Sequence, residues 1–267
     1  MITIYKFYID RYLNIPHTIP VMSETNLPLS NQTIMITGGA RRLGKVMALA
    51  AARSGADVIV HHAHSVEDAG DVADQIRSLG RKAWVLEADL TDLNQTQKLI
   101  QSAFSFANIS ALINNAAIFK SVDLMHTSLQ EWTDHLQINL TAPFLLSQSF
   151  AALYSGQQPG RIINMLDWRA LRPGKDHFPY TISKSALAAM TSSMALALAP
   201  GIIVNGIALG AILPPGDEDF SPALIKNVPM QRWSKLDELE DLIVWLLSAP
   251  EYITGEIIHL DGGRHLV

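Results

Sequence analysis

The chain contains no cysteine, which excludes a disulfide-stapled module and any thiolate metal site. Positive charge is also scarce: 20 lysines and arginines face 25 aspartates and glutamates, for a formal net charge of −5. A broad basic field able to attract a phosphodiester backbone is therefore missing. No internal repeat or low-complexity tract points to a solenoid or propeller. The longest stretch without charge lies between Lys184 and Asp217. Pro200-Gly201 and Asn205 break it, and Thr191, Ser192 and Ser193 dilute it, so it does not assemble the roughly 20 apolar residues that span a bilayer. A buried helix followed by a buried strand is the better reading. The N-terminal stretch Ile2 to Ile9 is interrupted by Lys6 and followed by Asp10 and Arg11. Without a continuous apolar core or a small-residue cleavage site it makes a poor signal peptide, and a cytoplasmic location is expected.

What is present suffices for a full core: 267 residues, 48% of them apolar, a size common for a single α/β domain. Residues 1–30 are expected to be an N-terminal extension, folded back or disordered, and residues 31–267 one domain. Short apolar runs recur at Thr33 to Thr37, Asp57 to His62, Lys82 to Glu87, Ile109 to Asn114, Arg161 to Leu166, Gly201 to Ala208 and Glu256 to Leu260. Helical periodicity fills the gaps at Leu43 to Ser54, Val66 to Leu79, Leu93 to Phe106, Leu129 to Tyr154, Tyr180 to Leu198 and Lys235 to Leu247. Continuous Val/Ile/Leu strands alternating with helices predict an α/β fold with a seven-stranded parallel sheet covered on both faces.

Two clusters carry chemistry. Thr37-Gly38-Gly39-Ala40-Arg41-Arg42-Leu43-Gly44 links the first strand to the first helix. Small residues there let backbone N–H groups approach a pyrophosphate, and the helix N-terminus favours negative charge. A tight strand-to-helix connection with no ligand would look much the same. Farther on, Tyr180 and Lys184 stand four apart. On a helix they share a face, where an ammonium lowers a phenol's pKa toward the operating pH. That makes Tyr180 a candidate acid.

The glycine turn, Asp89-Leu90, Asn114-Asn115-Ala116-Ala117, Asn139, Tyr180 with Lys184 and Asp261-Gly262-Gly263 follow one another in the order of the short-chain dehydrogenase/reductase family. The chain resembles that family from about Gln32 to the C-terminus, with Arg42 at the family's middle glycine. The resemblance implies a Rossmann-type doubly wound sheet, an NADPH-dependent reductase and a homotetramer. Its helices Leu129 to Tyr154 and Tyr180 to Leu198 and its last strand would form the contacts, helped by Ala186, Ala188, Ala189, Ala195 and Ala197; the same small residues suit the sheet contact within one chain.

One departure narrows the resemblance. Family members that reduce ketones usually carry Ser some thirteen residues before the Tyr, whereas Asp167 stands there. Together with Arg42 and Phe119, this is similar to the pteridine reductase branch, in which the aromatic ring stacks a pterin. The branch implies reduction of a C=N bond in a dihydrobiopterin, dihydromonapterin or dihydrofolate. Tyr180 would donate the proton, Lys184 bind the nicotinamide ribose, Asp167 relay the proton and Asn139 hold a water beside Lys184. Substrate contacts are expected from Arg42, Phe119, Asp167 and Tyr180. Phe119 also suits a core, Asp167 a helix cap and Arg42 a solvated surface.

The resemblance implies cofactor contacts from Gly38, Arg41, Arg42, Leu43, Gly44, His61, His64, Ser65, Asp89, Leu90, Asn115, Ala116, Tyr180, Lys184, Gly210 and Ile212. The second strand ends at Val60-His61-His62-Ala63-His64-Ser65. A carboxylate there would accept the ribose 2′-OH of NAD and repel a 2′-phosphate; its absence favours NADPH, although His64 replaces the branch's usual Arg and supplies no fixed charge. Loop residues Gly210 to Phe220 are expected to cover the pocket, and Trp168, Arg169, Arg172, Lys175 and His177 to meet a substrate tail. The alternatives are a carbonyl reductase using Asp167 in place of Ser and a catalytically silent NADP(H)-binding protein.

Overall fold

The computed structural model describes residues 27–214 and 221–267. Seven strands form one sheet: β1 (Thr33–Ile36), β2 (Asp57–His62), β3 (Ala83–Glu87), β4 (Ala111–Asn114), β5 (Gly160–Asp167), β6 (Ile202–Leu209) and β7 (Ile257–Leu260). Their order is β3-β2-β1-β4-β5-β6-β7, and every pairing is parallel. The chain runs outward one way from β1 to β3, then crosses back to β4. Between β1 and β4 the two halves diverge, and the crevice beyond their carboxyl ends is where such sheets take ligands.

Alternation along the strands builds a core on each face. Ile34, Ile36, Val58 and Val60 pack with Met47, Ala48, Ala51, Val72, Leu239 and Ile243. Those partners come from α1 (Arg42–Arg53), α2 (Val66–Ser78) and α8 (Leu236–Ser248). Met35, Ile59 and Leu112 face Leu99, Ile100, Leu146 and Phe150 instead, from α3 (Leu93–Phe106) and α5 (Ala142–Leu153). Each fully buried Ile or Leu contributes about 1.5–3 kcal/mol, which keeps the strand ends in fixed register beneath the crevice. Helix α6 (Phe178–Leu198) lies on the second face. Its Ala188 and Ala195 are buried within the chain's own core, whereas Ala189 and Ala197 are exposed.

One expectation changes, and two fall partly outside the described residues. The expected extension falls mostly on residues 1–26, outside the described residues, but Leu29 is fully buried in the first core and its N–H donates to the Ser54 carbonyl, so residues 29–30 belong to the body. The continuous helix expected from Leu129 to Tyr154 is three segments: α4 (Leu129–Leu136), a π turn (Gln137–Thr141) and α5. Pro143, near the start of α5, has no N–H for the carbonyl of residue 139, so a regular α ladder is not available there. The expected covering loop is described only to Pro214, with residues 215–220 outside the described residues. The short α7 (Pro222–Ile225) follows.

Candidate active site

A cleft of about 720 Å³ opens over the carboxyl ends of β1, β4, β5 and β6. Thr37 locks its floor. Its hydroxyl donates to the Ile113 carbonyl at 3.3 Å and accepts from the N–H of Asn115 at 2.9 Å and of Ala116 at 3.0 Å. The Asn115 amide in turn donates to the carbonyls of Thr37 and Gly38 at 2.8 and 3.1 Å. Thus the glycine turn and the Asn-Asn-Ala-Ala turn are one clamped unit. Gly44 is obligatory within it, because a Cβ there would sit 1.9 Å from the Gly38 carbonyl oxygen. Arg42 has φ +50°, a left-handed backbone that explains why related turns favour glycine at this position. Its guanidinium donates to the Pro214 carbonyl.

The candidate proton donor lies on α6. Tyr180 Oη donates to Asp167 Oδ2 at 3.3 Å, and Asp167 Oδ1 accepts from the Arg169 N–H at 2.8 Å. Burial raises the Asp167 carboxyl above its ordinary pKa, against the opposing pull of the Arg169 N–H and charge and of Lys184. Burial and the adjacent carboxylate push the Tyr180 phenol well above 10. This overturns the expectation of an acidified phenol. Lys184 Nζ is turned to the Met165 carbonyl at 2.7 Å and stands 5.8 Å from the centre of the Tyr180 ring. Burial lowers the Lys184 ammonium to about 8.

Asn139 lies in the π turn. Its side-chain oxygen accepts from the Ile118 N–H at 2.9 Å, and its amide donates to the Ile118 carbonyl and to Ser183 Oγ, each at 3.0 Å. The side chain is therefore a brace between the β4 loop and α6, and any water would fall to the backbone carbonyl that Pro143 leaves without its α-helical donor. A π turn at such a point is a frequent mark of a functional site.

Aromatic rings wall the cleft beside Tyr180. Phe119 meets the Tyr180 ring edge-on at 4.7 Å and stacks on the His177 imidazole at 4.1 Å. It is exposed to the cleft, so it is not core. Of the residues expected to meet a substrate tail, Trp168, Arg169 and His177 line the cleft, whereas Arg172 and Lys175 do not. Sequence reasoning did not foresee the Phe119–His177 stack or Arg264, which also lines the cleft; the arginine directly after Asp261-Gly262-Gly263 was the available signal.

The expected cofactor residues line this same cleft except Ser65, whose carbonyl accepts the Ala69 N–H in the first turn of α2. His61 is buried, with Nδ1 accepting from the Gly38 N–H at 3.1 Å and Nε2 3.0 Å from the Ala88 carbonyl. Both ring nitrogens are thereby used within the protein. Arg41 is exposed and paired with Asp68 at 2.5 Å.

Residues 32–223 match the family model for short chain dehydrogenases, and the chain belongs to that family. It is accordingly an oxidoreductase that uses a nicotinamide cofactor. A 3-oxoacyl-[acyl-carrier-protein] reductase of Synechocystis is 30% identical over 240 residues, covering 88% of this chain and 97% of the relative. Among solved structures, FolM alternative dihydrofolate reductase 1 from Brucella suis in complex with NADP has 32% identity and a TM-score of 0.82, over 89% of this chain and 96% of that one. A blue fluorescent protein from a metagenomic library in complex with NADPH gives 28% identity and a TM-score of 0.83, over 89% and 99%. The residues present fit a dinucleotide. The turn before α1 is packed so closely that Gly44 admits no side chain, α1 begins without a side-chain cap, and no carboxylate stands at the end of β2.

Proposed function

We propose that this chain is an NADPH-dependent pteridine reductase that reduces a C=N bond. The observation that carries the reading is Asp167 hydrogen-bonded to Tyr180, where a ketone-reducing member would present a serine hydroxyl. Burial raises this carboxyl above its ordinary pKa, which suits it to passing a proton to the phenol it touches. The exposed Phe119 ring, edge-on to Tyr180, gives a flat heterocycle an apolar wall, and stacking adds about 0.5–1.5 kcal/mol beyond burial. The likeness to an alternative dihydrofolate reductase supports the same reading.

NADPH would be held by the turn from Gly38 to Gly44, by Asn115 and Ala116, and by Lys184, and would supply the hydride. Arg41 and His64 are the cationic or polar groups for its 2′-phosphate. Tyr180 Oη, protonated throughout the neutral range because its pKa is raised, delivers a proton to the ring nitrogen. Asp167 Oδ2 then takes a proton from solvent and passes it to the phenolate across the same 3.3 Å contact. Lys184, buried and bonded to the Met165 carbonyl, supplies the positive charge that makes a transient phenolate tolerable. The Asn139 brace holds Ile118 and Ser183 on either side of this path.

Following NADPH oxidation against dihydropterins, quinonoid pterins and simple ketones tests the reading. Turnover confined to pterins supports it, and turnover confined to ketones defeats it. The second outcome corresponds to the reading that the 3-oxoacyl-[acyl-carrier-protein] reductase relative favours. Assembly as a homotetramer is part of the proposal, supported by the exposed Ala189, Leu196 and Ala197 on α6; a sedimentation mass equal to one chain would refute that part.

A further inference from the structure

Four arginines line the cleft: Arg41, Arg42, Arg169 and Arg264. Three of them are engaged. Arg41 pairs with Asp68, Arg42 donates to the Pro214 carbonyl, and Arg169 lies 3.7 Å from Asp167 and 3.0 Å from Asp176. Arg264 differs: its guanidinium carbon stands 4.9 Å from the centre of the Trp168 ring, and among the described residues no carboxylate or carbonyl engages it. Arg169 lies 4.8 Å from the same ring. Two guanidinium groups thus share one indole, and only one has its charge balanced by carboxylates.

Arg264 is held there by a built turn. The buried Asp261 carboxylate accepts from the Gly263 N–H at 2.9 Å and from the His265 N–H and Nδ1 at 2.8 Å each. The His265 ring stacks on His259 at 3.8 Å. Gly262 and Gly263 take left-handed backbone and press against Val228 and Pro229, leaving no room for a Cβ at Gly262. The arginine therefore projects from a rigid support against the residue that follows Asp167. That puts it in the cleft beside Trp168, on a different strand end from Arg41 and His64.

We propose that Arg264 is the anion-binding residue of the substrate subsite, and that the substrate carries a carboxylate or phosphate on the tail beyond its ring. A planar guanidinium already stacked on an indole presents its N–H edge for a two-point contact with either anion. This deepens the pteridine reading and rests on it for the ring, but not for the tail.

The test compares wild type with Arg264→Met, which keeps an apolar stem over Trp168, and Arg264→Lys, which keeps the charge. Substrates are dihydrofolate, a dihydropterin phosphate monoester and the uncharged dihydrobiopterin. Arg264→Met should raise KM for the carboxylate or the phosphate substrate by about tenfold or more, the loss of one charge-assisted contact, and Arg264→Lys should recover most of it. Kinetics with dihydrobiopterin should not change. Whichever charged substrate responds identifies the anion. Equal losses on charged and uncharged substrates would make Arg264 a packing residue, and no loss on either charged one would also overturn the proposal. Calorimetric binding of p-aminobenzoylglutamate and of glycerol phosphate reads the subsite without turnover. If wild type reduces no pterin yet binds one of these ligands more tightly than Arg264→Met does, the pteridine reading falls and the subsite stands.

Discussion

His61 accepts the Gly38 N–H on one ring nitrogen, at 3.1 Å, and can do so only while it is neutral. Its other nitrogen faces the Ala88 carbonyl, so the tautomer with the proton on Nε2 satisfies both contacts. The imidazole is a strut between the glycine turn and the end of β3. Burial lowers its pKa from 6.5 to about 4.

That shift makes stability depend on pH. Between about pH 6.5 and 4 the unfolded chain binds a proton at His61 that the folded chain refuses, so stability is full above this window and falls as pH drops through it. The loss reaches on the order of 3 kcal/mol from this group alone. Urea unfolding at pH 7 and pH 4.5 should show it, and His61→Gln, which does not titrate, should flatten the difference while lowering stability at pH 7. An equally steep profile in the variant would remove the strut from the account.

Asp167 and Tyr180 should act as one proton-handling pair. Replacing Tyr180 with Phe removes the donor and should cost about 10²- to 10⁴-fold in kcat, with NADPH affinity retained. Asp167→Asn keeps a polar contact to the phenol but cannot return a proton, so kcat should fall with little change in KM. Steady-state kinetics at pH 7 decides. Full turnover in either variant would refute the assignment.

Lys184 adds a second pH dependence. With its ammonium lowered to about 8, the charge that steadies a phenolate fades as pH rises through that value. A decline in kcat above about pH 8 is therefore expected for wild type. A profile flat to pH 10 would mean that the positive charge persists or is not needed.

How much of this was legible in the sequence differs from element to element. The sheet was, because Val58 to Val60 and Ile34 to Ile36 are buried on both faces, and such strands leave an uninterrupted apolar run. Residues that meet across the crevice were legible only as members of a motif set. The spacing of Tyr180 and Lys184 is local, but the burial of the phenol and its contact with Asp167, on the end of another element, are not, and these give the phenol shift the opposite sign. His61 was expected at the cofactor, yet its role as a strut depends on Ala88, 27 residues away. The break in the long helix was missed; its available signal was Pro143, whose missing N–H leaves the apolar periodicity unchanged.

Gly44 offers a test of the clamped turn. An added Cβ would lie 1.9 Å from the backbone oxygen of Gly38 and 2.8 Å from the Asn115 amide, and rotating a side chain cannot relieve a clash with backbone. Gly44→Ala should displace the turn and weaken NADPH binding by at least about tenfold, a loss of roughly 1.4 kcal/mol or more. Calorimetric titration of folded variant protein measures it. Unchanged affinity would show that the turn is not the pyrophosphate cradle.

Cofactor preference should turn on Arg41. Its guanidinium is exposed and paired with Asp68, and an exposed pair of this kind contributes little to stability, so the arginine can exchange that partner for a 2′-phosphate. The two anions compete for one cation. Arg41→Ala should lower the NADPH-over-NADH ratio of kcat/KM by about tenfold or more, as loss of a charge-assisted contact. Asp68→Asn should move the ratio the other way, since Arg41 no longer has to leave a carboxylate. A ratio near one in wild type, or one indifferent to both substitutions, would assign the selection to other residues.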